Sequence, residues 1–233
     1  MKRMTWAAAV LAVAAAAPAH ADWEGKGELG GVLARGNTET ETINGRIDLN
    51  TATERWRHAV GFSILRTVND GVTSANRWEV HGESDYKLTE RGFLFGALRY
   101  EDDEFTDFSY QATASAGYGY RFIDSDATKL VGRIGAGYRQ SELRVSGATR
   151  DEAIVRGALD YSHKLTDTTT LLNDFLVEAG SDNTFLRNIL SIEVKMNDTL
   201  ALGLSYEVRH NTDVLPGTDK TDQVLTANLV FGF

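Results

Sequence analysis

Four histidines lie beyond the first 21 residues: His58, His81, His163 and His210. Hydrolases that work on lipid from the wall of a β-barrel set a His and a Ser two residues apart, on one face of one strand. None of the four has a Ser two positions away. His81-Gly82-Glu83-Ser84 comes nearest, but residues three apart on a strand point to opposite faces. His81 is therefore expected to be a hydrogen-bonded interior histidine, with lipid hydrolysis kept as a minor alternative. The chain has no cysteine, and no His/carboxylate spacing suits zinc. The run Asp102, Asp103, Glu104, Asp107 offers oxygen ligands for Ca²⁺ but lacks the spacing of a calcium loop, so a solvated loop is expected. No catalytic residue, metal site or cofactor is predicted.

What remains is electrostatic chemistry, and its spacing is regular. Arg77, Glu79, His81, Glu83, Asp85 and Lys87 follow one another at every second position. A helix would scatter them; a strand puts all on one side, opposite Trp78, Val80, Tyr86 and Leu88. The same two-faced pattern recurs along the chain. It groups Arg46, Asp48, Arg99, Arg133, Arg139, Arg156, Asp160, Asp174, Arg187 and Glu193 with the charged face.

Twelve such segments are predicted, each of about ten to fourteen residues and separated by turn chemistry, as barrel strands that span a bilayer require. The last is the most telling. Leu225, Ala227, Leu229, Phe231 and the terminal Phe233 alternate with a wetter set. An edge strand of a soluble sandwich is the alternative for such an ending, but that fold has no need of charges opposite the apolar face on nearly every strand. In lipid, no backbone group can stay unpaired, so a spanning sheet must close. The predicted fold is an all-β, antiparallel, up-and-down transmembrane barrel of 12 strands, with both termini periplasmic. Turns near 53–54, 89–92, 123–128, 165–168 and 197–198 are then periplasmic and short. Those near 69–75, 101–109, 140–151 and 211–219 are external and longer. Tryptophan and tyrosine cluster toward both strand ends, as in two aromatic girdles.

The N-terminus has the parts of a secretory signal: Lys2-Arg3, an apolar run from Met4 to Ala17, and Ala19-His20-Ala21 as cleavage site. Residues 1–21 are expected to be removed, leaving a single barrel domain over 22–233. Losing Lys2 and Arg3 makes the formal charge of −9 more negative by two. That acidity argues against nucleic acid as a partner. Without disulfides, stability must come from a hydrogen-bonded sheet closed on itself.

Trp23-x-Gly25, Gly30-Gly31 and Gly36-Asn37-Thr38-Glu39-Thr40, with Arg99-Tyr100-Glu101-Asp102-Asp103-Glu104-Phe105 and Gly117-Tyr118-Gly119-Tyr120, resemble the YdiY-like salt-induced outer membrane protein family. The resemblance spans the chain beyond the signal. It implies an outer-membrane barrel linked to salt or envelope stress, and it supplies no catalytic residues. Terminal Phe233, with Leu229 and Phe231, resembles the C-terminal signal read by the barrel-assembly machinery. The implied partners are that machinery, outer-membrane lipid and lipopolysaccharide, whose bridging divalent ions the acidic run could share. Two functions follow from the charged face: a narrow pore for ions or small solutes, or a lumen plugged by its own ion pairs in a structural or stress-related barrel. Such a barrel should migrate differently on gels before and after boiling, whereas a soluble sandwich should not shift.

Overall fold

The computed structural model describes residues 23–34, 39–214 and 218–233. The expected signal peptide (1–21), the Gly36-Asn37-Thr38 turn and Pro216-Gly217 lie outside the described residues. Twelve strands follow in order: β1 (Trp23–Ala34), β2 (Thr40–Ala52), β3 (Trp56–Asn69), β4 (Val72–Lys87), β5 (Gly92–Asp103), β6 (Phe108–Asp124), β7 (Thr128–Leu143), β8 (Thr149–Lys164), β9 (Thr169–Gly180), β10 (Thr184–Lys195), β11 (Leu200–Asn211) and β12 (Thr221–Gly232). Each pairs antiparallel with its sequence neighbours, and β1 pairs with β12 to close the barrel. No helix occurs among the described residues.

Closure rests on a short seam. Lys26 to Gly30 lie opposite Gly232 to Asn228, and the Gly25 and Phe233 backbones exchange hydrogen bonds of 2.6 and 2.9 Å. The Phe233 ring occupies the place where a Cβ on Gly25 would sit. Trp23 and Phe233, the first and last described residues, therefore lie at one end of the barrel, the terminal end, together with the turns after β2, β4, β6, β8 and β10.

The far end corrects one expectation. The segment near 69–75 is not a long loop. Asp70 and Gly71 alone turn the chain, with φ of 49° and 79°, the two-residue turn whose twist matches a hairpin. Asn69 pairs directly with Val72, and a bulge between Thr67 and Val68 re-aims the extended hairpin. Likewise β7 and β8 run on to Leu143 and from Thr149, leaving residues 144–148 to connect them. The two ends differ mainly because strands continue past the barrel wall, and less because loops are long.

Alternation sorts the side chains as period two demands. Leu29, Ile43, Ile47, Phe62, Ile64, Ile134, Val155, Leu202, Leu204, Leu225, Leu229 and Phe231 lie exposed on the outer face. At the terminal end Trp56 packs on Tyr86 (ring centroids 4.9 Å) and stacks on His58. Toward the far end Tyr100 stacks on Tyr110, and Trp78 packs tilted against Tyr100.

Inside, aromatic rings fill the notches left by glycines. Phe95 lies over Gly117 and Gly135 on the next two strands, and Phe93 over Gly119. This pairing pins register across β5, β6 and β7. Gly119→Ala should displace the Phe93 ring and cost about 1–3 kcal/mol in denaturant unfolding from micelles. Adding Phe93→Leu should recover part of that loss.

Candidate functional site

The lumen is the site. Every charged-face residue named from the sequence projects into it. Most are joined to a partner on another strand, and several to one on the opposite wall.

Glu79 on β4 accepts two hydrogen bonds from Arg187 on β10, at 2.8 and 2.9 Å. In a ring of twelve strands, β4 and β10 stand six positions apart, so this pair spans the lumen. Arg209 on β11 reaches Glu101 on β5, a second span of six. Arg99 on β5 donates to Glu178 on β9 (2.7 Å) and to Glu101 (3.2 Å), and lies 3.6 Å from Glu79. Arg156 shares Glu178 at 3.0 Å, and Arg77 on β4 grips Glu207 on β11 at 3.0 and 3.1 Å. The result is a transverse layer that ties β4 and β5 to β9, β10 and β11.

Phe185 on β10 anchors this layer. Its ring carries the Arg99 guanidinium at 4.7 Å and that of Arg209 at 5.0 Å. Each such contact contributes up to about 2 kcal/mol when desolvated. Phe93 does the same nearer the terminal end, with Arg121 at 5.1 Å and Arg133 at 5.4 Å.

The other named residues form satellite pairs. Arg133 meets Glu83 (2.8 Å), Asp85 (3.7 Å) and Asp160. Arg139 meets Glu152 at 2.7 Å and the Asn183 carbonyl. Arg46 meets Asp48 at 2.6 Å, and Glu193 meets Lys26. His81 also points inward, with Nδ1 3.4 Å from Glu79 and Nε2 3.7 Å from Asp48. Asp174 faces Asp160 across β8 and β9 and is open to the lumen.

Two cavities flank the layer. One of about 850 Å³ occupies the terminal half, walled by Asp48, Arg57, Asp85, Arg121, Arg133 and Asp160. A smaller one of about 140 Å³ lies along β1 to β4 and β9 to β12, against Asn44, Ser63, Arg77, Ser205, Thr226 and Asn228. Lys26, Arg46, Asp48, His81, Asp174 and Arg187 border both. Among the described residues, aromatic rings are confined to the β5–β6 and β10 walls of the lumen, while the smaller cavity is walled by long charged side chains interspersed with Asn44, Ser63, Ser205, Thr226 and Asn228.

Some functional groups escaped the sequence argument. Glu101, Glu152, Glu178, Glu207 and Arg209 share the charged parity and could have been named from it. Phe93, Phe95 and Phe185 could not, because an apolar side chain in the lumen looks like a lapse of the pattern. A His/Ser pair does exist on the outer face: His58 Nδ1 lies 2.8 Å from the Ser84 hydroxyl on the next strand. His163 with Thr128 and His210 with Thr221 repeat it at 2.8 Å. Its recurrence near both ends of the barrel fits imidazoles satisfied at two bilayer interfaces. The acidic run is partly built into the wall. Asp103 accepts from the Phe105 amide, and Arg144 donates to the Asp103, Thr106 and Phe108 carbonyls.

A closed 12-stranded antiparallel sheet, apolar outside and charged within, defines the outer-membrane β-barrel fold class. Solved structures share it: the translocator domain of autotransporter NalP from Neisseria meningitidis (13% identity, 99% of this chain and 95% of that one, TM-score 0.50), the NanC porin (10%, 91% and 98%, 0.51) and an outer membrane channel from Pseudomonas putida F1 (11%, 93% and 96%, 0.51). The chain belongs to the family described as protein of unknown function DUF481, whose model matches residues 27–233. YdiY of Escherichia coli K12, described as uncharacterized, is 22% identical over 201 residues, 84% of this chain and 77% of that one.

The layer's energetics are testable. Glu101 is 4% exposed; replacing it with Met takes the nearest carboxylate from Arg209, leaving it Glu207 at 3.5 Å, and one of three from Arg99, and should cost about 3 kcal/mol, the low end for a broken buried pair, in guanidinium unfolding. Replacing Glu101 and Arg209 together by Met and Leu should cost far less.

Proposed function

We propose that this chain is an outer-membrane barrel forming a narrow pore for ions and small polar solutes, constricted by its transverse ion-pair layer. The carrying observation is that the two cavities share Arg46, Asp48, His81 and Arg187 as walls, so polar space reaches the Glu79–Arg187 span from both. Those shared walls support a narrow polar route past the Glu79–Arg187 span, bordered by Asn44, Ser63 and Asn228.

The lumen is too crowded for a general porin. Its charges are matched in sign, which favours weak ion selectivity. Placement in the outer membrane is supported by the fold class, by the apolar outer face and by the signal-like N-terminus. Short turns beside the termini fit a periplasmic terminal end. Leu229 and Phe231 lie outward on β12 and Phe233 is exposed at its end, where assembly machinery and lipid, lipopolysaccharide included, would meet them. A link to salt stress suits a lumen whose water-exposed pairs weaken as ionic strength rises.

The second reading is a plugged structural barrel. It is favoured by Phe185, which clamps two arginines within the layer.

Planar-bilayer recording separates the two. The pore reading expects small discrete steps from the refolded protein. Glu79→Ala with Arg187→Ala should raise conductance about twofold or more by opening the ring. Silence from both proteins, each shown folded by its boiling shift, would exclude the pore and favour the plug.

A further inference from the structure

The seam between β1 and β12 is zipped along only part of its length. Its ladder joins Lys26 through Gly30 to Gly232 through Asn228, five residues a side. Every other strand pair is joined over at least ten. Both seam strands continue beyond that point, β1 to Ala34 and β12 back to Thr221. On their other sides they stay fully paired, Gly31 to Ala34 with β2 and Thr221 to Ala227 with β11. Continued in register, Gly31 would meet Ala227 and Val32 would meet Thr226. Among the described residues neither pair forms.

At the last ladder position the β12 backbone is still close, since a Cβ on Gly30 would strike Asn228 and the Ala227 carbonyl. The unzipped edges lie around the depth of the far aromatic girdle, because Leu225 is the cross-strand neighbour of Tyr206.

Unpaired backbone in hydrocarbon costs several kcal/mol per group, so polar matter must reach these edges. The lumen supplies it from directly behind, where the smaller cavity borders Glu28, Asn44, Val224, Thr226 and Asn228. In front lie Leu29 and Leu225, exposed on the outer face. A gap with a hydrogen-bonding inner rim and an apolar outer rim matches one kind of occupant.

We propose that the β1–β12 seam is a lateral portal between the lumen and the bilayer leaflet at the far end, and that it takes an amphiphile. Its polar or zwitterionic head sits among Asn44, Thr226 and Asn228, and its acyl tail passes out between Leu29 and Leu225. Gly31, the first β1 residue past the ladder, puts no side chain on the outer rim. This rests on the membrane placement proposed above, and not on conduction through the layer.

The absence of cysteine makes the test clean. The full barrel is reconstituted in phosphatidylcholine vesicles and labelled with bimane at a single introduced cysteine: Thr226→Cys at the seam, Ser162→Cys in the lumen on β8, or Leu229→Cys on the outer face. The probe is lysophosphatidylcholine with a nitroxide on its tail. The portal predicts quenching at position 226 severalfold above that at 162. Strong quenching at 229 with equal, weak quenching at 226 and 162 overturns the portal alone. No quenching at 229 overturns the membrane placement, and the portal with it. Spin labels at Val32→Cys and Thr226→Cys should lie farther apart than labels at Leu29→Cys and Leu229→Cys; equal distances mean a closed seam and overturn the proposal. A cross-linked dimer through Leu225→Cys, on the outer face beside the gap, would mean that a second copy covers the edge, and would overturn it equally.

Discussion

Backbone hydrogen bonding in a medium that offers no partner is the constraint on which the molecule depends. A strand in hydrocarbon must give every N–H and C=O to a neighbour, so the sheet has to return to its first strand. Here β12 comes back to β1, and the Gly25–Phe233 backbone pair fastens the terminal end. The covering of Gly25 by the Phe233 ring follows from that closure, as does the location of the start of β1 and the end of β12 at one end. The alternation of greasy and charged faces is the side-chain consequence of the same requirement.

Closure creates an interior, and twelve strands make one that is neither filled by short side chains nor wide enough to stay empty. Arginine and glutamate are long enough to meet across it. The Arg187–Glu79 and Arg209–Glu101 pairs do so between strands on opposite walls. Taking these charges out of water is costly and is offset by multiple partners: Glu178 receives Arg99, Arg156 and the Thr113 hydroxyl. Phenylalanines at 93 and 185 give the guanidinium planes a surface to rest on. The layer thereby braces opposite walls of the lumen. Asparagine, serine and threonine interspersed among the charges leave space next to the short seam.

Much of this was legible in the sequence, and for a definite reason. Period-two alternation is local, so Arg77 through Lys87 announces a strand with a charged face without help from the rest of the chain. The number of strands, the outer apolar band and the parity of the lumen charges follow by repetition. Hairpin geometry was less legible at 69–75, because Asn69-Asp70-Gly71 supplies the right turn while the next residues carry no strong sign that β4 has already begun. The bulge at Thr67/Val68 decides that, and it depends on pairing.

What the sequence determined alone is the class: a closed two-faced sheet with charge on its inner face. Which charges meet was decided only by tertiary structure. Glu79 and Arg187 are 108 residues apart, as are Glu101 and Arg209. No local period encodes a contact across a lumen whose shape is set by ring closure and stagger. The apolar residues turned inward, Phe93, Phe95 and Phe185, belong to the same category. Their places are fixed by glycines and arginines on other strands. The short β1–β12 ladder is the last such feature, since the register of first strand on last exists only once the whole barrel has closed.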